Sequence, residues 1–400
     1  MDKRSLLKLS LASAATGVLP RFALGQAPAK ITVVNMTPFS GALADLGMDT
    51  EIGAKVAVED VRRELGIEVN YVRVDSESNP AVAVRKMQEQ MSQSGARFFI
   101  GANLSSEALA MGKEAARNGA IYFTSAGADE ITGSECNPNT FRWATPTYGA
   151  VEQTVRPFLK LNPNAKRWYA ITPNYVFGQS LLANSKRVIE EHGGELVGNS
   201  FHSLAEREFS GYLTNAVAAK PDVLLLLNFS AQSVQTLRQA MNFGIKQKMS
   251  ILMVWSAGLD QLQSLGPQII EGVHFGAQYW HTADNARNKR FVDAVRKTHK
   301  TTPNNNSAAG YTMLYAIAES VRRAQSTDTG AVIKALDTFK YDGLTGPEEV
   351  RSFDNEVLKD YYLLRGRSKA EMKSPDDLAA VLGQGRSFVA QAQSLCKLPG

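Results

Sequence analysis

The sequence contains few of the residues on which metal sites and cross-linked scaffolds depend. It has two cysteines, Cys136 and Cys396, and five histidines among 400 residues, and their spacing matches no metal-ligand pattern. It also lacks a Gly-rich phosphate loop, a convincing dinucleotide fingerprint and a GxSxG nucleophile motif. We therefore expect no bound metal and no cofactor.

Long apolar runs and basic clusters are also scarce. Beyond the N-terminal segment, no run is apolar for long enough to cross a bilayer. The formal net charge is +5, and residues 1–25 supply +3 of it from four basic side chains and one acidic side chain. No basic cluster alternates with aromatic residues, so nucleic acid is not expected as a partner. With 44% hydrophobic and 21% charged residues, the chain is typical of a water-soluble protein of two domains.

Residues 1–25 have the three-part pattern of a secretory signal peptide. Lys3, Arg4 and Lys8 make a basic start, an Ala- and Leu-rich centre follows, and small residues stand at Ala23 and Gly25. We expect cleavage after Gly25, and cleavage two residues later is the alternative. The start KRSLLK leaves open whether export is of the Sec or the twin-arginine type. An uncleaved membrane anchor is the less favoured interpretation.

The two cysteines are predicted to form one disulfide. An exported chain meets an oxidising compartment, where paired cysteines persist as disulfides. Cys136 lies in a polar loop before Phe141 and Cys396 lies four residues from the end, so the bond would tie the C-terminal tail to that loop. Two free buried thiols are the alternative, and a free-thiol assay on the denatured, unreduced protein separates the two.

Strand-like and helix-like segments alternate along the chain in two series. The first series extends from a strand at 30–37 to a strand at 120–123, and the second from a strand at 168–172 to one at 251–254. Such alternation is typical of parallel sheets covered by helices on both faces. The sequence therefore predicts an α/β fold with two doubly wound units in tandem. Beyond Lys373 it predicts helix only in patches.

The stretch from Arg97 to Asp129 combines a buried strand with a polar helix start. Its first strand ends at Gly101, and Ser105 and Ser106 begin the helix that follows. Unpaired N–H groups and the helix dipole at such a start attract a negatively charged group. We therefore expect a carboxylate or a similar polar head to dock here. The alternative is that Ser105 only caps the helix.

Polar or aromatic turns follow the strands of both series, at the carboxyl ends where open parallel sheets bind ligands. Five segments and the signal peptide carry a resemblance: TPFSGALADLGMDTEIGAKVAVEDV, GANLSSEALA, NGAIYFTSAGAD, PNYVFGQSL and AKPDVLLLLNFSAQSVQTLRQAM. In order and spacing they resemble the type I periplasmic binding proteins, specifically the leucine/isoleucine/valine-binding family that serves ABC importers. The resemblance covers nearly the whole mature chain and implies two Rossmann-like lobes joined by a three-crossing hinge.

The resemblance also implies domain boundaries. Crossings near Thr145, Gly276 and Glu349 would divide the chain into two discontinuous lobes. After the signal peptide of residues 1–25, lobe 1 would contain 26–145 and 276–348, and lobe 2 would contain 146–275 and 349–383. The tail of residues 384–400 would be tied to lobe 1.

In lobe 1 the resemblance implies a site for the ligand's carboxylate. Ser105, with Ser106 beside it, matches the hydroxyl at the start of the family's first-lobe helix. Ala126, in the next turn with Gly127, would offer backbone contacts to the same group. Ala128 stands where the family usually has an assisting threonine, so one side-chain contact is missing.

Three further positions depart from the family pattern. Phe177 keeps the ring of a family aromatic without its hydroxyl, and Leu46 replaces another aromatic. Ser256 stands where an acidic residue pairs with the ammonium of an amino acid. A desolvated ammonium without that partner costs enough free energy to erase micromolar affinity. A simple amino acid is therefore not the expected ligand.

The expected ligand has a carboxylate or amide head and an apolar or aromatic body. Phe177, Phe229, Trp255 and Tyr279 would hold that body by stacking, and ordinary core packing is the alternative for each ring.

The expected function is that of a monomeric, periplasmic substrate-binding protein that passes its ligand to an ABC permease in the inner membrane. A ligand sensor on the same fold and a true amino-acid binder are the alternatives. An enzyme is not expected, because Ser105 and Glu107 have no base with an orienting partner and no histidine falls on a cleft turn.

Overall fold

The computed structural model describes residues 30–398, whose strands form one sheet of eight and one of seven. The signal peptide predicted at 1–25 lies outside the described residues. In chain order the strands are β1 (Lys30–Thr37), β2 (Glu68–Asp75), β3 (Phe98–Gly101), β4 (Ile121–Thr124), β5 (Thr140–Arg142), β6 (Arg167–Pro173), β7 (Glu195–His202), β8 (Val223–Leu226), β9 (Ser250–Met253), β10 (His274–Ala277), β11 (Lys340–Asp342), β12 (Pro347–Arg351), β13 (Glu356–Leu358), β14 (Tyr361–Gly366) and β15 (Ala379–Gly385).

Helices separate most of the strands. They are α1 (Ala44–Leu65), α2 (Pro80–Ser94), α3 (Ser105–Arg117), α4 (Thr147–Glu152), α5 (Val155–Leu161), α6 (Val176–Glu191), α7 (Ser210–Ala219), α8 (Ser230–Asn242), α9 (Leu259–Leu265), α10 (Pro267–Ile270), α11 (Ala286–His299), α12 (Asn305–Ala324) and α13 (Thr329–Leu336). Among the described residues, none of the helices has both the length and the apolar character that a membrane span requires.

The two sheets form two lobes, and both sheets are mainly parallel. Lobe 1 has the strand order β11-β12-β13-β5-β4-β3-β1-β2, with antiparallel pairing only at the β11–β13 end. Lobe 2 has the order β15-β14-β10-β9-β8-β6-β7, with β14 and β15 antiparallel. Central strands such as β3 (FFIG) and β8 (VLLL) are buried along their whole length because helices cover both faces. The predicted α/β fold of two doubly wound lobes is confirmed.

The third of the predicted crossings falls elsewhere, and part of the segment beyond Lys373 is strand. The second crossing follows Ala277, next to the predicted position near Gly276, so lobe 1 resumes at residue 278 because β10 pairs with β9 in the second sheet. Because β12 and β13 pair within the first sheet, the third crossing lies at residues 359–360 and not near Glu349. Residues 379–385 form the edge strand β15 and not helix, since β14 offers them an open edge to pair with. The first crossing lies between Arg142 and Thr147.

The three crossings are bonded to one another. Gln278 Oε1 accepts from the Thr145 backbone N–H at 2.9 Å, and Gln278 Nε2 donates to the Thr145 carbonyl at 3.3 Å. Lys359 Nζ donates to the Gln278 carbonyl at 2.7 Å and lies 4.3 Å from the centre of the Trp143 ring. Burial lowers the pKa of Lys359 to about 7. The buried Lys359 and the side-chain amide of Gln278 therefore join the three crossings of the hinge.

Two glycines let α1 and α12 pack closely in lobe 1. A Cβ at Gly53 would lie 1.7 Å from the Ser307 carbonyl oxygen, and a Cβ at Gly310 would lie 2.0 Å from that of Thr50. Any larger residue would push the helices apart. This close approach brings the N-terminus of α12 to the cleft between the lobes.

The predicted disulfide between Cys136 and Cys396 is confirmed. It joins the tail to lobe 1 across a sequence separation of 260 residues. After β15 in lobe 2, Ser387 accepts a hydrogen bond from Gln153 at 2.5 Å, and the Val389 carbonyl then accepts one from Arg351 in lobe 1 at 2.8 Å. The tail thus extends from one lobe to the other.

Candidate ligand-binding site

A small cavity lies between the lobes, at the carboxyl ends of the parallel strands. Its volume is about 40 Å³, far below the 300–1,000 Å³ of ordinary ligand pockets, so the lobes are closed on each other in this structure. Lobe 1 contributes Leu46 and Gly127 together with a polar wall, and lobe 2 contributes an aromatic wall. The two walls follow different strand ends, as expected for a ligand site in open α/β sheets.

Four rings from lobe 2 form the aromatic wall. Phe177 is central, because its ring meets Trp255 edge-on at 5.0 Å and Phe229 edge-on at 5.5 Å between centroids. Tyr175 adds a ring 6.0 Å from Phe177. Edge-to-face contacts in this range are favourable, and they hold the rings as one unit. The sequence analysis expected Phe177, Phe229 and Trp255, from three separate segments, to hold the body of the ligand. The structure brings these three rings together.

Three side chains from lobe 1 form the polar wall: Asn103, Ser125 and Asn306. Asn103 Nδ2 donates to Asn306 Oδ1 at 3.0 Å and to Ser125 Oγ at 3.3 Å. Asn103 follows β3, Ser125 follows β4, and Asn306 lies in the first turn of α12. The wall is therefore assembled from two strand ends and the helix that the glycine contacts bring to the cleft.

Gly127 is the point at which the two walls touch. A Cβ there would lie 2.5 Å from Trp255 Cη2 and 2.9 Å from Phe177 Cε2. Both distances are well short of the 3.5–4.0 Å of a normal carbon contact. Only a hydrogen at this position lets the rings of lobe 2 approach the turn of lobe 1 this closely.

The predicted carboxylate-binding turn lies next to the cavity, but several of its side chains face the protein. Ser105 is 1% exposed, and its Oγ accepts a hydrogen bond from the Ala128 N–H at 3.1 Å. Ala126 and Ala128 are buried as well, whereas Ser106 is partly exposed in the first turn of α3. In the closed structure Ser105 thus shapes the turn that presents Gly127.

Ser256 and Tyr279 do not line the cavity. Ser256 is fully buried, and its hydroxyl donates to the Gly276 carbonyl at 2.7 Å. Tyr279 packs in the lobe-1 core against Phe291, and its hydroxyl donates to Asn288 at 2.6 Å. Both side chains use their polar atoms to hold the chain near the second crossing. Tyr279 was expected to stack on the ligand, but it lies in the core, as the alternative interpretation stated.

Acidic side chains from both lobes meet close to the site. Ser230, next to Phe229, donates to Asp45 Oδ2 at 2.5 Å, and Asn304 Nδ2 donates to Asp49 Oδ2 at 2.7 Å. Burial and then the negative charge of Asp260 raise the pKa of Asp49. Burial also raises the pKa of Asp260, although a hydrogen bond from Asn304 opposes the rise. The closed interface therefore favours the protonated form of this pair.

Sequence reasoning missed the asparagines that begin α12. The helix begins at Asn305. Asn304 caps it, Asn305 Nδ2 donates to the Ser256 carbonyl at 2.5 Å, and Asn306 lines the cavity. The available signal was the run of three asparagines before an Ala-rich helix, since asparagine is a preferred N-cap.

A model of the family described as "Periplasmic binding protein" matches residues 30–371. The chain belongs to this family. Like other family members, this periplasmic binding protein has two mainly parallel sheets in two lobes, so the predicted resemblance is confirmed. It is a Leu/Ile/Val-binding protein homologue of the ABC transporter substrate-binding type. The family is a non-enzymatic transport component, and this membership confirms that the chain is not an enzyme.

Three relatives are similar to this binding protein in sequence or in fold. It is similar to the crystal structure of an amino acid ABC transporter substrate-binding protein from Pseudomonas fluorescens Pf-5, at 49% identity and a TM-score of 0.88 over 93% of this chain and 100% of that chain. It is 26% identical to Leu/Ile/Val-binding protein homolog 7 of Brucella abortus (strain 2308), over 84% of this chain and 86% of that protein. It shares the fold of an R. palustris ABC transporter solute-binding protein in complex with benzoate, at 22% identity and a TM-score of 0.82 over 92% and 100% of the two chains.

Proposed function

We propose that this protein captures a small ligand with a carboxylate or amide head and an aromatic or otherwise apolar body between its lobes. The observation that carries the proposal is the pair of unlike walls, with aromatic rings on lobe 2 and short polar side chains on lobe 1. Closure over a flat, apolar body would bury it against Phe177, Phe229 and Trp255. Aromatic contacts of this kind add to the free energy of apolar burial.

The charge of the walls supports a ligand without an ammonium group. Among residues 30–398, none of the side chains that line the cavity is acidic. A buried ammonium would therefore lack a charge partner there, at a cost of several kcal/mol. The benzoate complex of the R. palustris relative is consistent with an aromatic carboxylate in this fold.

For the head of the ligand we propose the turn that contains Ala126, Gly127 and Ala128, with Ser105 and Ser106 at the start of α3. Ser105 holds this turn through the Ala128 N–H. Opening of the lobes would uncover the turn, and closure over a carboxylate would bring it close to backbone N–H groups at a helix N-terminus. Loss of the Ser105 hydroxyl is expected to weaken a carboxylate ligand by roughly 1–3 kcal/mol.

We further propose that the protein acts as a monomer in the periplasm after cleavage of residues 1–25 and delivers its ligand to an ABC permease in the inner membrane. A sensor role on the same fold is the alternative. Adjacent permease and ATPase genes would favour import.

A true amino-acid ligand is the second candidate. The Pseudomonas fluorescens relative is an amino acid ABC transporter substrate-binding protein, and this similarity favours it. On this alternative the ammonium would need an acidic partner that enters the site when the lobes rearrange.

A ligand screen with a matched pair of variants tests the proposal. Calorimetry or thermal shift would compare aromatic and aliphatic carboxylates with leucine and valine, since a ligand that binds the native state raises the melting temperature. Phe177→Ala should weaken the best ligand by about tenfold or more, because it removes the central ring of the wall. Phe201→Ala is the control, since Phe201 is 47% exposed on β7 of the same lobe. Tight binding of leucine or valine with no response to benzoate would contradict the proposal.

A further inference from the structure

Carboxyl groups from both lobes meet at the closed interface close to the cavity. Asp45 and Asp49 lie on α1 of lobe 1, and Asp260 lies in the first turn of α9 of lobe 2. Asp45 Oδ2 accepts a hydrogen bond from Ser230 Oγ of lobe 2 at 2.5 Å, which ties α1 to the start of α8. Asp49 and Asp260 are partly buried, whereas Asp45 stays exposed. Closure therefore brings like charges together and removes part of their water.

One side-chain amide serves both Asp49 and Asp260. Asn304 Nδ2 donates to Asp49 Oδ2 at 2.7 Å, and a hydrogen bond from the same residue favours the ionised form of Asp260. Asn304 Oδ1 accepts from the backbone N–H groups of Asn306 and Ser307 at 3.0 Å each, so the amide cannot turn over without losing both bonds. Asp260 Oδ1 is buried and has no donor in the part of the chain that the structure describes. The carboxyl oxygens at this point are therefore short of donors.

No cation compensates the charge of Asp49 within residues 30–398. The charged groups that act on it there are the carboxylates of Asp260 and then Asp45. The starts of α8 and α12 contribute a hydroxyl and an amide, which are neutral. Arg73, a basic residue on β2 of the same lobe, pairs with Glu51 instead. An ionised Asp49 is therefore repelled when the lobes are closed.

Of the two partly buried acids, Asp49 has the stronger tendency to hold a proton. Burial and then the charge of Asp260 raise the pKa of Asp49 to about 8. Burial raises the pKa of Asp260 as well, but Asn304 and the backbone N–H groups at the start of α9 favour its ionised form. When the lobes separate, Asp49 would regain water and return toward the ordinary pKa of an aspartate, near 4. A proton on Asp49 removes the repulsion in the closed form and adds an O–H donor beside acceptors that lack one.

We propose that closure of the lobes takes up one proton at Asp49, so that acid pH favours the closed form and alkaline pH favours the open form. The carboxylate takes the proton from water on closure and returns it to water when the lobes separate. An equilibrium shifts toward the form that binds the proton more tightly as the pH falls. The closed population should therefore decline as the pH rises from near 4 through about 8. The inference concerns the movement of the lobes and does not depend on the chemical class of the ligand.

Small-angle X-ray scattering of the ligand-free protein at pH 5.5 and pH 8.5 tests the inference. We expect the ratio of closed to open molecules to fall roughly 10- to 100-fold over this range, with a larger radius of gyration at pH 8.5. An unchanged radius of gyration would overturn the inference. Because no ligand is present, that outcome leaves the proposed function in place, and a failure of the proposed function appears separately in the ligand screen.

Two substitutions assign the pH response to these carboxyl groups. Asp49→Asn copies the shape of the protonated acid, so this variant should be as compact at pH 8.5 as the wild type is at pH 5.5. Asp260→Asn removes the opposing charge but not the burial of Asp49, so it should reduce the response without abolishing it. Asp293→Asn, at an exposed position of α11, is the control and should respond as the wild type does. A wild-type response in Asp49→Asn, or its loss in the control, would place the titrating group elsewhere and overturn the inference.

Discussion

Gly127→Ala tests the closed contact between the two lobes most directly. The new methyl group would lie 2.5 Å and 2.8 Å from two ring carbons of Trp255 and 2.9 Å from one of Phe177. Normal carbon contacts are 3.5–4.0 Å, so the rings must retreat by about 1 Å. Phe177 also packs against Phe229, and the displacement would pass to that ring. Overpacking of this kind costs about 1–3 kcal/mol, which corresponds to roughly a 5- to 150-fold loss of affinity if closure is required for binding.

The free-energy cost of the new methyl group should oppose closure of the lobes and leave the folding of each lobe almost unaffected. The φ angle of Gly127 lies outside the left-handed region, so alanine fits the backbone of lobe 1. We therefore expect an almost unchanged free energy of unfolding, a weaker dissociation constant by calorimetry, and a larger radius of gyration by small-angle X-ray scattering in the absence of ligand. Gly211→Ala is the matched control, because a Cβ at Gly211 on α7 would have no neighbour within 4 Å in the described part of the chain. Unchanged affinity and unchanged scattering in Gly127→Ala would refute the role assigned to this contact.

Two further predictions concern stability. Replacing both Cys136 and Cys396 by serine should lower the free energy of unfolding by about 2–5 kcal/mol, because the disulfide closes a loop of more than 200 residues. Guanidinium denaturation measures this change. A denaturation midpoint equal to that of the oxidised wild type would contradict the prediction. Asp49→Asn should make the protein more stable at alkaline pH. The pKa of Asp49 is higher in the folded than in the unfolded state, so the wild type loses stability as the pH rises from the unfolded value near 4 through about 8. Unfolding measured at pH 5 and pH 9 should show the larger difference between the two proteins at pH 9, and a difference that is equal at both would count against it.

Local patterns were enough to predict most of the fold. The alternation of strands and helices, the apolar run of β8 and the polar turns after β3 and β4 each report the burial of their own segment. Local patterns do not show which strands pair with each other. The predicted boundary of lobe 1 at residue 348 therefore cut through β12 and left out β13, and β15 was predicted as patches of helix. β12 and β13 are only five and three residues long, too short for a period to identify their sheet. β15 is an edge strand whose residues are mostly exposed, so its sequence carries only a weak period.

Residues of the candidate site also show what local sequence patterns predict and what they do not. Phe177, Phe229 and Trp255 stand directly after strands, and the general rule for open sheets places such residues at one edge. Tyr279 also follows a strand, but it lies just past β10, where the chain crosses back to lobe 1 and turns the ring into that core. No local feature of the sequence distinguishes these two outcomes.

The sequence by itself determined the class of fold, the rings and hydroxyls at the strand ends, and the pairing of the two cysteines, because each depends on composition or on neighbours along the chain. Only the tertiary structure decided which of those groups face one another. Asn103 and Asn306 are separated by 203 positions in the chain, and they meet because the close packing of α1 and α12 at Gly53 and Gly310 carries one helix start to the end of β3. Contacts between distant segments depend on how whole lobes pack and close, and the period of a single strand or helix does not contain that information.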